Sequence, residues 1–544
     1  MKFMVGKALL AACVAAAASG VQAGDYRYNP VTSVSANAPI ELKVAGTYAS
    51  GVFDEGAAEI SAYDPWTRRL FVTNANANTV DVLDIRNPRK PRLRFTIDLS
   101  EYGAGVNSVA VSNGVVAVAV EADPKQDPGS VVFFDVKGRY LNDVTVGALP
   151  DMVTFTPDGT RVLVANEGEP DDDYVVDPEG SISIIDISAG IASASVATAN
   201  FQSYNGLDLP PIRVFGPGAS VAQDLEPEYI AVSADSRTAW VSLQEANAIA
   251  IVDVNNALVT DLVPLGTKDH GVIQNAIDAS NRDDGINLRA WPVVGMYQPD
   301  AIAAYEVDGE TYIITANEGD SRDYDGYSEE ARIGDVNDDF LVDPSAYPDL
   351  ALLTDDARLG RLNMTTATGD VDMDGDIDVL HVYGGRSFSI LNAAGEMVYD
   401  SGSELERILA DVLPEEFNST NDENGSFDNR SDDKGPEPEG VTVGEIDGRH
   451  YAFIGLERIG GIMVYDVSNP IAPRFVQYIN NRDFAGDAEA GTAGDLGPEG
   501  LTFIPARRHG KRPLLAVTNE VSGTTTLYTI RVRGGHGRFA SRDD

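Results

Sequence analysis

Seven copies of one strand pattern run along this chain of 544 residues. In each copy an acidic residue or an asparagine opens an apolar strand, and a second strand ends at asparagine or glutamate. One copy begins at Asp151, with its second strand at residues 162–167 and a third at 183–186. A fourth strand usually follows, such as residues 94–97 or 475–478. Short strands repeated in fours are typical of a β-propeller, so the pattern predicts an all-β, seven-bladed β-propeller of four-stranded antiparallel blades.

The N-terminal part of the repeat region is predicted to close the ring. The last copy ends at residues 528–530 without a fourth strand, and a spare apolar strand at residues 40–46 precedes the first copy. We expect this strand to complete the last blade, because closure removes exposed strand edges.

The domain boundaries follow from the spacing of the copies. We predict a signal peptide at 1–23, an N-terminal extension at 24–39, the propeller at 40–532 and a disordered tail at 533–544. Insertions fall at about 265–297, 319–384 and 402–436. In the last of them a helix is predicted over residues 403–413, with Ser403 and Glu406 as a capping box and Pro414 after its end.

The N-terminus reads as an export signal. Lys2 and Lys7 precede an apolar run at residues 8–21, and Ala23 ends a small-residue cleavage site. The alternative is a lipoprotein signal that ends at Cys13, although its apolar region would be very short. Cleavage after Ala23 removes the only cysteine, and no later apolar run reaches the roughly 18 residues of a membrane span. We therefore predict a secreted or periplasmic protein.

The charge of the chain limits its partners. Asp and Glu number 85 and Lys and Arg number 40, a net charge of -45. Such a surface repels nucleic acid and anionic membranes, so we expect neither as a standing partner, and it attracts cations. Solubility in high salt is a second interpretation of the same number.

Acidic residues recur at two fixed positions of the repeat. Those that open first strands are Glu59, Asp151, Glu228, Asp300, Glu439 and Glu499, with Asn107 in the other copy. Those that end second strands are Glu121, Glu167, Glu245, Glu318, Glu457 and Glu520, with Asn74 in the other copy. Adjacent strands are antiparallel, so both sets should meet at one mouth of the ring.

These oxygen ligands favour hard cations, Ca²⁺ first and then Mg²⁺, Mn²⁺ or iron. The predicted metal ligands of the funnel are Asp151, Glu167, Glu228, Asp300, Glu318, Glu439, Glu457, Glu499 and Glu520. The alternative is that the acids accept backbone N–H bonds at turns.

A separate aspartate-rich loop predicts a calcium site. Its residues Asp370, Asp372, Asp374 and Asp378 match positions 1, 3, 5 and 9 of a calcium loop, Gly375 lies at the sharp turn, and Asp376 offers its carbonyl. Position 12 is His381, where an EF-hand has glutamate, and a strand follows, as in the shorter calcium hairpin of integrin-type repeats. Because the loop lies in an insertion, we expect Ca²⁺ there to be structural.

Three cations near the predicted funnel are candidate phosphate ligands. Arg322, Arg430 and Lys434 lie close in sequence to the funnel acids. Their alternative role is to form salt bridges with those acids. The sequence has no G-x-S-x-G elbow, no P-loop and no histidine pair at metal-ligand spacing, so it does not support a serine hydrolase or a P-loop enzyme.

Several long motifs resemble the choice-of-anchor I family of secreted bacterial propeller proteins. They lie at residues 166–170, 295–300, 316–324, 328–332, 429–440 and 455–461. Members are often described as alkaline phosphatase-like, and the fold class is similar to propeller phytases and calcium-dependent phosphatases, which bind phosphate through carboxylate-held metals. The chain has no anchor segment after Arg533, which favours a freely secreted or periplasmic protein.

Two functions remain open on this sequence. The first is a metal-dependent phosphatase or phosphodiesterase that acts on a small phosphorylated substrate, with Arg322, Arg430 and Lys434 as catalytic cations. The second is a non-enzymatic, calcium-stabilised extracellular binding or adhesion propeller, because propellers support both.

Overall fold

The computed structural model describes residues 29–337, 339–506 and 512–533. The predicted signal peptide, Cys13 and all but the first residue of the predicted tail lie outside these residues. Within them, seven antiparallel sheets of four or five strands follow one another along the chain, and we number them sheet 1 to sheet 7.

The first four sheets are built entirely from consecutive strands. Sheet 1 contains Ser61–Asp64, Arg69–Asn74, Thr79–Asp84 and Arg92–Asp98. Sheet 2 contains Gly105–Ser112, Val115–Glu121, Pro128–Asp135 and Tyr140–Ala148. Sheet 3 contains Pro150–Phe155, Arg161–Asn166, Ser181–Asp186 and Ser195–Asn200. Sheet 4 contains Pro227–Val232, Thr238–Leu243, Ala248–Asp253 and Leu258–Pro264.

The last three sheets take in an insertion or a strand from the N-terminus. Sheet 5 contains Ile302–Val307, Glu310–Asn317, Ser387–Asn392 and Met397–Asp400. Sheet 6 contains Pro438–Ile446, Arg449–Leu456, Ile462–Asp466, Arg474–Asn480 and the N-terminal strand Val31–Val34. Sheet 7 contains Pro498–Ile504, Leu514–Asn519, Thr524–Val532 and the N-terminal strand Ile40–Ala49.

Two N-terminal strands pair with strands from the C-terminal part of the repeat region. Ile40–Ala49 pairs with Thr524–Val532 from Ile40↔Val532 to Ala49↔Thr524, as the sequence predicted for this strand. Val31–Val34 pairs with Arg474–Asn480, a contact that the sequence did not predict. Sheets 1 and 7 also touch directly, because the hydroxyl of Thr502 donates to the carbonyl of Ser61 at 2.6 Å.

Buried aliphatic side chains hold neighbouring sheets together. Leu163 and Ile184 of sheet 3 pack against Val241 and Ala250 of sheet 4, and all four are at most 4% exposed. Alternate residues of each strand point to opposite neighbours, so every sheet contributes to two such layers. This packing holds the first strand of each sheet in place, and the leading acids of the predicted funnel lie at the start of these strands.

The insertions form small sheets and short helices. Their strands are Thr267–Asp269, Val294–Met296, Asp323–Tyr324, Tyr327–Ser328, Glu330–Arg332, Asn363–Thr365 and His381–Val382. The α-helices are Val221–Asp224, Leu350–Leu353 and Glu404–Val412, and the 3-10 helices are Ile191–Ser193, Gln202–Tyr204, Ile273–Asn275 and Ile333–Asp335. Across the described ranges, no helix has the length and apolarity needed to span a bilayer.

The predicted helix at residues 403–413 is present, but its predicted capping box is wrong. Ser403 is the N-cap, yet its side chain makes no cap hydrogen bond and donates instead to the carbonyl of Gln274 at 2.9 Å. Glu406 contacts Arg386 at 3.0 Å. A buried ion pair and a contact with another insertion therefore take both side chains away from the helix end.

Candidate metal centre in the central cavity

A recurrent turn precedes four of the six leading acids. In sheets 3, 5, 6 and 7 the residue two positions before the leading acid has a left-handed backbone conformation, and the residue between the two is proline. These residues are Leu149 (φ 43°), Gln298 (φ 42°), Glu437 (φ 48°) and Gly497 (φ 66°). A non-glycine residue in this region costs about 1 kcal/mol, so the turn is maintained against strain.

One cavity of about 240 Å³ is lined by residues of sheets 2, 3, 4, 6 and 7 and by residues that directly adjoin the strands of sheets 1 and 5. Four of the leading acids line it, together with the predicted asparagine: Glu59, Asn107, Asp151, Asp300 and Glu499. Tyr229 and Gly440, the neighbours in sequence of Glu228 and Glu439, line it as well. The structure thus brings four of the six leading acids to one cavity, whereas Glu228 and Glu439 are not among its lining residues.

Three carboxylates, those of Asp300, Glu318 and Glu439, form a close triad. One oxygen from each lies within 4.8 Å of the others. Glu318 accepts hydrogen bonds from Gln244 at 3.1 Å and Lys434 at 3.0 Å. The Oε2 atom of Glu439 is buried and has no hydrogen-bond partner among the described residues. Three oxygens at this spacing can coordinate a hard divalent cation.

A second group, Glu318, Glu437 and Glu457, lies equally close but is already neutralised. Glu437 is fully buried and contacts Arg430 at 2.8 Å, Arg458 at 2.9 Å and Lys434 at 3.3 Å. Burial alone would raise the pKa of Glu437, but these three cations hold it at about 2. This group has its counter-ions in protein, so it offers less to a metal than the first triad does.

Burial and mutual repulsion raise the pKa of the acids around the cavity. The pKa rises to about 8 for Glu59 and to about 7 for Asp151, in both cases first through burial and then through neighbouring carboxylates. The pKa is raised for the same two reasons, well above its ordinary value, in Glu167, Glu228, Asp300, Glu439 and Glu499. A cation nearby would offset this repulsion and favour their ionised forms.

The other predicted ligands lie around this centre in different states. Glu228 is 8% exposed. The Oε2 atoms of Glu228 and Glu499 are both buried and have no hydrogen-bond partner among the described residues. Glu457 accepts a hydrogen bond from Asn421 at 2.7 Å and contacts Arg458 at 3.0 Å. Burial raises the pKa of Glu520. Their roles as metal ligands stay predictions.

The three predicted catalytic cations all contact carboxylates. Arg322 is 1% exposed and contacts Asp224 and, at 2.9 Å, Glu226. Arg430 lies between Asp433 and Glu437, and Lys434 contacts Glu318 and Glu437. These contacts match the salt-bridge alternative, and a role in phosphate binding stays a prediction for each.

Sequence reasoning missed the buried acids that hold these cations. Glu226 and Glu437 each begin a Glu-Pro-Glu tripeptide whose second glutamate is a leading acid, Glu228 or Glu439. In both tripeptides the first glutamate contacts an arginine. The repeated Glu-Pro-Glu tripeptide was the sequence signal that could have shown that its first glutamate pairs with an arginine and its second is a leading acid.

The predicted calcium loop has three carboxylates on one side of its turn. Asp370, Asp372 and Asp374 place oxygens within 4.8 Å of one another, and all three are exposed. The Oδ1 and Oδ2 atoms of Asp370 accept the N–H groups of Asp374 and Gly375 at 3.2 and 3.0 Å. Asp374, Asp378 and Asp370 repel Asp372 and help to raise its pKa.

The end of this loop is anchored in the surrounding insertion. Asp378 accepts the N–H of Val371 at 2.7 Å, and the side chain of Ile377 is buried against that of Val342 in one apolar cluster. Asp376 lies beside Ile377, and burial and Asp374 raise its pKa.

Two proteins of known sequence are similar to parts of the chain. Gigasin-3a of Magallana gigas is 34% identical over 188 residues, which cover 32% of this chain and 66% of that protein. The mesenchyme-specific cell surface glycoprotein of Strongylocentrotus purpuratus is 28% identical over 298 residues, 49% of this chain and 37% of that protein. The matches thus span less than two thirds of either relative.

Three solved structures have a limited similarity in shape to the chain. Hydrazine synthase of Kuenenia stuttgartiensis gives a TM-score of 0.46 at 14% identity over 89% of this chain and 99% of that one. The Cps50 (Swd1) β-propeller domain of Myceliophteria thermophila gives 0.42 at 9%, over 90% and 99%. Streptogramin B lyase gives 0.44 at 11%, over 90% and 98%.

The family model gives a firmer assignment than these likenesses. The model of the choice-of-anchor I domain matches residues 59–470. This range covers sheets 1 to 5, three of the five strands of sheet 6, and the members of both acid sets from Glu59 to Glu457. The chain therefore belongs to the choice-of-anchor I family and contains its β-propeller domain.

Proposed function

We propose that the seven sheets are the blades of a closed ring and that its funnel binds divalent cations to hydrolyse phosphoric esters. The closed ring is supported by one cavity lined by residues in or directly beside every sheet, and by the pairing of Ile40–Ala49 with Thr524–Val532. The observation that carries the metal proposal is the triad of Asp300, Glu318 and Glu439, with an unpartnered buried oxygen on Glu439.

The charges around the triad explain why a phosphate ester would need a metal here. An anionic ester is repelled by the acids, and Arg322, Arg430 and Lys434 already contact carboxylates. A bound divalent cation would supply the positive charge for the phosphoryl oxygens and lower the pKa of a bound water. In this chain, Lys434 holds Glu318 in place, and the left-handed turn before Pro438 directs Glu439 at the triad.

Metal-dependent ester hydrolysis is the test of this function. The protein is treated with EDTA, and hydrolysis of p-nitrophenyl phosphate and bis-p-nitrophenyl phosphate is measured before and after addition of Ca²⁺, Mg²⁺, Mn²⁺ or iron. Glu439→Gln should reduce the metal-dependent rate by about 100-fold or more, since it removes a charged ligand. Glu445→Gln, an exposed position on the same strand, should leave the rate unchanged. No turnover with any metal would reject the enzyme.

We also propose that Ca²⁺ binds the loop at residues 370–378 and stabilises the insertion. Like charges at Asp370, Asp372 and Asp374 support this, as does the anchoring of Ile377. At a Ca²⁺ concentration 100 times the Kd, proteolysis within the insertion should slow by about 100-fold. Asp374→Asn should lose this protection, whereas Asp411→Asn, on an exposed helical position, should retain it. Equal proteolysis with Ca²⁺ and with EDTA would contradict the proposal.

The second candidate is a calcium-stabilised binding or adhesion propeller outside the cell. Choice-of-anchor domains are typically extracellular or cell-surface domains, and the name of the Strongylocentrotus purpuratus relative describes a cell surface glycoprotein. Export through the signal peptide at residues 1–23 fits both candidates. Metal binding at the triad without any ester hydrolysis would favour this second function.

A further inference from the structure

We propose that a groove between sheets 1 and 7, on the face opposite the funnel mouth, binds an acidic polysaccharide. The groove has a volume of about 280 Å³ and includes Arg68, Arg86 and Arg512 among its lining residues. Its apolar walls include Tyr63, Ile85 and Leu514. No acidic residue lines it within the described ranges, although the chain as a whole has a net charge of -45.

The groove and the metal triad lie at opposite ends of the strands. Arg68 belongs to the turn between Ser61–Asp64 and Arg69–Asn74, and Arg86 follows Thr79–Asp84. The funnel acids lie where the first strands begin and the second strands end, which is the other end of the same sheets. The groove is therefore a site separate from the proposed metal centre.

Basic side chains continue from the groove along the edge of sheet 1. Arg89, Lys90, Arg92 and Arg94 are exposed and follow Arg86 in the turn and the outermost strand. Arg86 contacts Asp84, whereas Arg68, Arg89 and Arg512 form no ion pair with any described residue. In so acidic a protein this local excess of unpaired cations attracts an anion from outside the chain.

A close backbone contact fixes the basic turn at the edge of the groove. A Cβ atom on Gly46 would lie 2.7 Å from the backbone carbon and oxygen of Arg89, and 2.9 Å from the carbonyl oxygen of Pro88. Only glycine therefore lets the turn rest against the strand Ile40–Ala49. The guanidinium groups are presented by a fixed turn, which reduces the entropy lost on binding.

An exposed tryptophan in the turn that carries Arg68 suggests a flat, partly apolar ligand. Trp66 is 80% exposed and lies two residues before Arg68 in the same turn. An indole ring packs well on the apolar face of a sugar, and guanidinium groups bind carboxylates or sulfates through paired hydrogen bonds. A sugar chain with regularly spaced acidic groups offers both features together.

The shape of the site favours a polysaccharide over a flat anionic membrane. A bilayer reaches protruding side chains and not the recessed apolar residues of a groove, such as Ile85 and Leu514. An acidic polypeptide could match the charge, but it lacks the repeated flat apolar faces that would cover Trp66. Both ligands are included as alternatives in the experiment.

Trp66 provides a direct measurement of binding. The chain has three tryptophans, and Trp240 and Trp291 are only 2% and 7% exposed. With EDTA present, oligogalacturonate should shift the emission of Trp66 to the blue and protect it from acrylamide, and rising salt should weaken the effect. Neutral dextran, anionic phospholipid vesicles and polyglutamate should leave the emission unchanged. A shift with vesicles or polyglutamate and none with oligogalacturonate would overturn the proposal.

Substitutions in the groove separate this site from general charge effects. Arg68→Ala and Arg512→Ala should each weaken oligogalacturonate binding roughly tenfold, and Trp66→Ala should abolish the emission change and weaken binding seen by calorimetry. Arg237→Ala is the matched control, because Arg237 occupies the corresponding turn of sheet 4 and is 74% exposed. Equal weakening by Arg237→Ala would also overturn the proposal.

Discussion

Replacing Arg322 with glutamine should lower the free energy of unfolding by about 3–5 kcal/mol, because it removes one partner of a buried ion pair. Arg322 is 1% exposed and contacts two acids, Asp224 and Glu226, which are each 2% exposed. The ring of Phe215 lies between Arg322 and Arg213, at 4.6 and 4.0 Å from their guanidinium carbons. Loss of Arg322 would leave Asp224 and Glu226 buried without their cation.

Urea unfolding followed by circular dichroism measures this effect. Arg139→Gln is the matched control, since Arg139 forms an ion pair with Asp135 on the surface and is 74% exposed, and it should change stability by less than about 1 kcal/mol. The result also decides the role of Arg322. A variant with unchanged stability and a large loss of ester hydrolysis would contradict the structural role and return Arg322 to the catalytic cations.

The repeat of the strands could be predicted from the sequence because local patterns determine it. Alternating apolar residues and turns at each end specify strands such as Arg69–Asn74, and the unpaired last strand Thr524–Val532 identified Ile40–Ala49 as its partner. Val31–Val34 could not be found this way. It is short, carries two hydroxyl side chains, and is a strand only because it pairs with Arg474–Asn480.

The site could be predicted only in part, since its charge balance depends on contacts across sheets. The positions of Asp151, Asp300 and Glu499 follow from the repeat, and they do line one cavity. The repeat does not show which lysines and arginines are paired with an acid and which are free. Such pairs join distant parts of the chain, and Lys434 contacts Glu318 across 116 residues of sequence. The repeat therefore identifies the acids of the predicted funnel, whereas only the tertiary contacts show which cations pair with them.

This assignment divides the acids into two electrostatic classes with opposite responses to pH. Glu437 has three cationic contacts and a pKa of about 2, so its stabilising contribution is present above the ordinary pKa of 4.5 and is lost as the pH falls through 2. Glu59 and Asp151 have no such cationic partner among the described residues, and their pKa values are raised. A cation in the cavity should therefore change the pKa values of acids such as Glu59 and Asp151 and leave the pKa of Glu437 unchanged.

The metal-free protein should lose stability as the pH rises from about 5 to about 9. Burial and neighbouring acids raise the pKa of Glu59 from 4.5 to about 8 and that of Asp151 from 3.8 to about 7. The folded protein binds more protons than the unfolded chain in this range, so the contribution is complete below the unfolded pKa and is lost as the pH passes the folded one. A shift of three units corresponds to about 4 kcal/mol, an upper bound for groups that interact.

Urea unfolding in EDTA at several pH values between 5 and 9 measures this loss. Saturating Ca²⁺ or Mn²⁺ should flatten the profile, because a cation in the cavity stabilises the ionised carboxylates. Asp151→Asn should reduce the slope in EDTA, since it removes one raised pKa, whereas Asp158→Asn should not, because hydrogen bonds to Thr160 and Thr156 hold the pKa of the exposed Asp158 low. A metal-free stability that stayed level or rose between pH 5 and 9 would show that these acids are neutralised by the protein itself and need no ion.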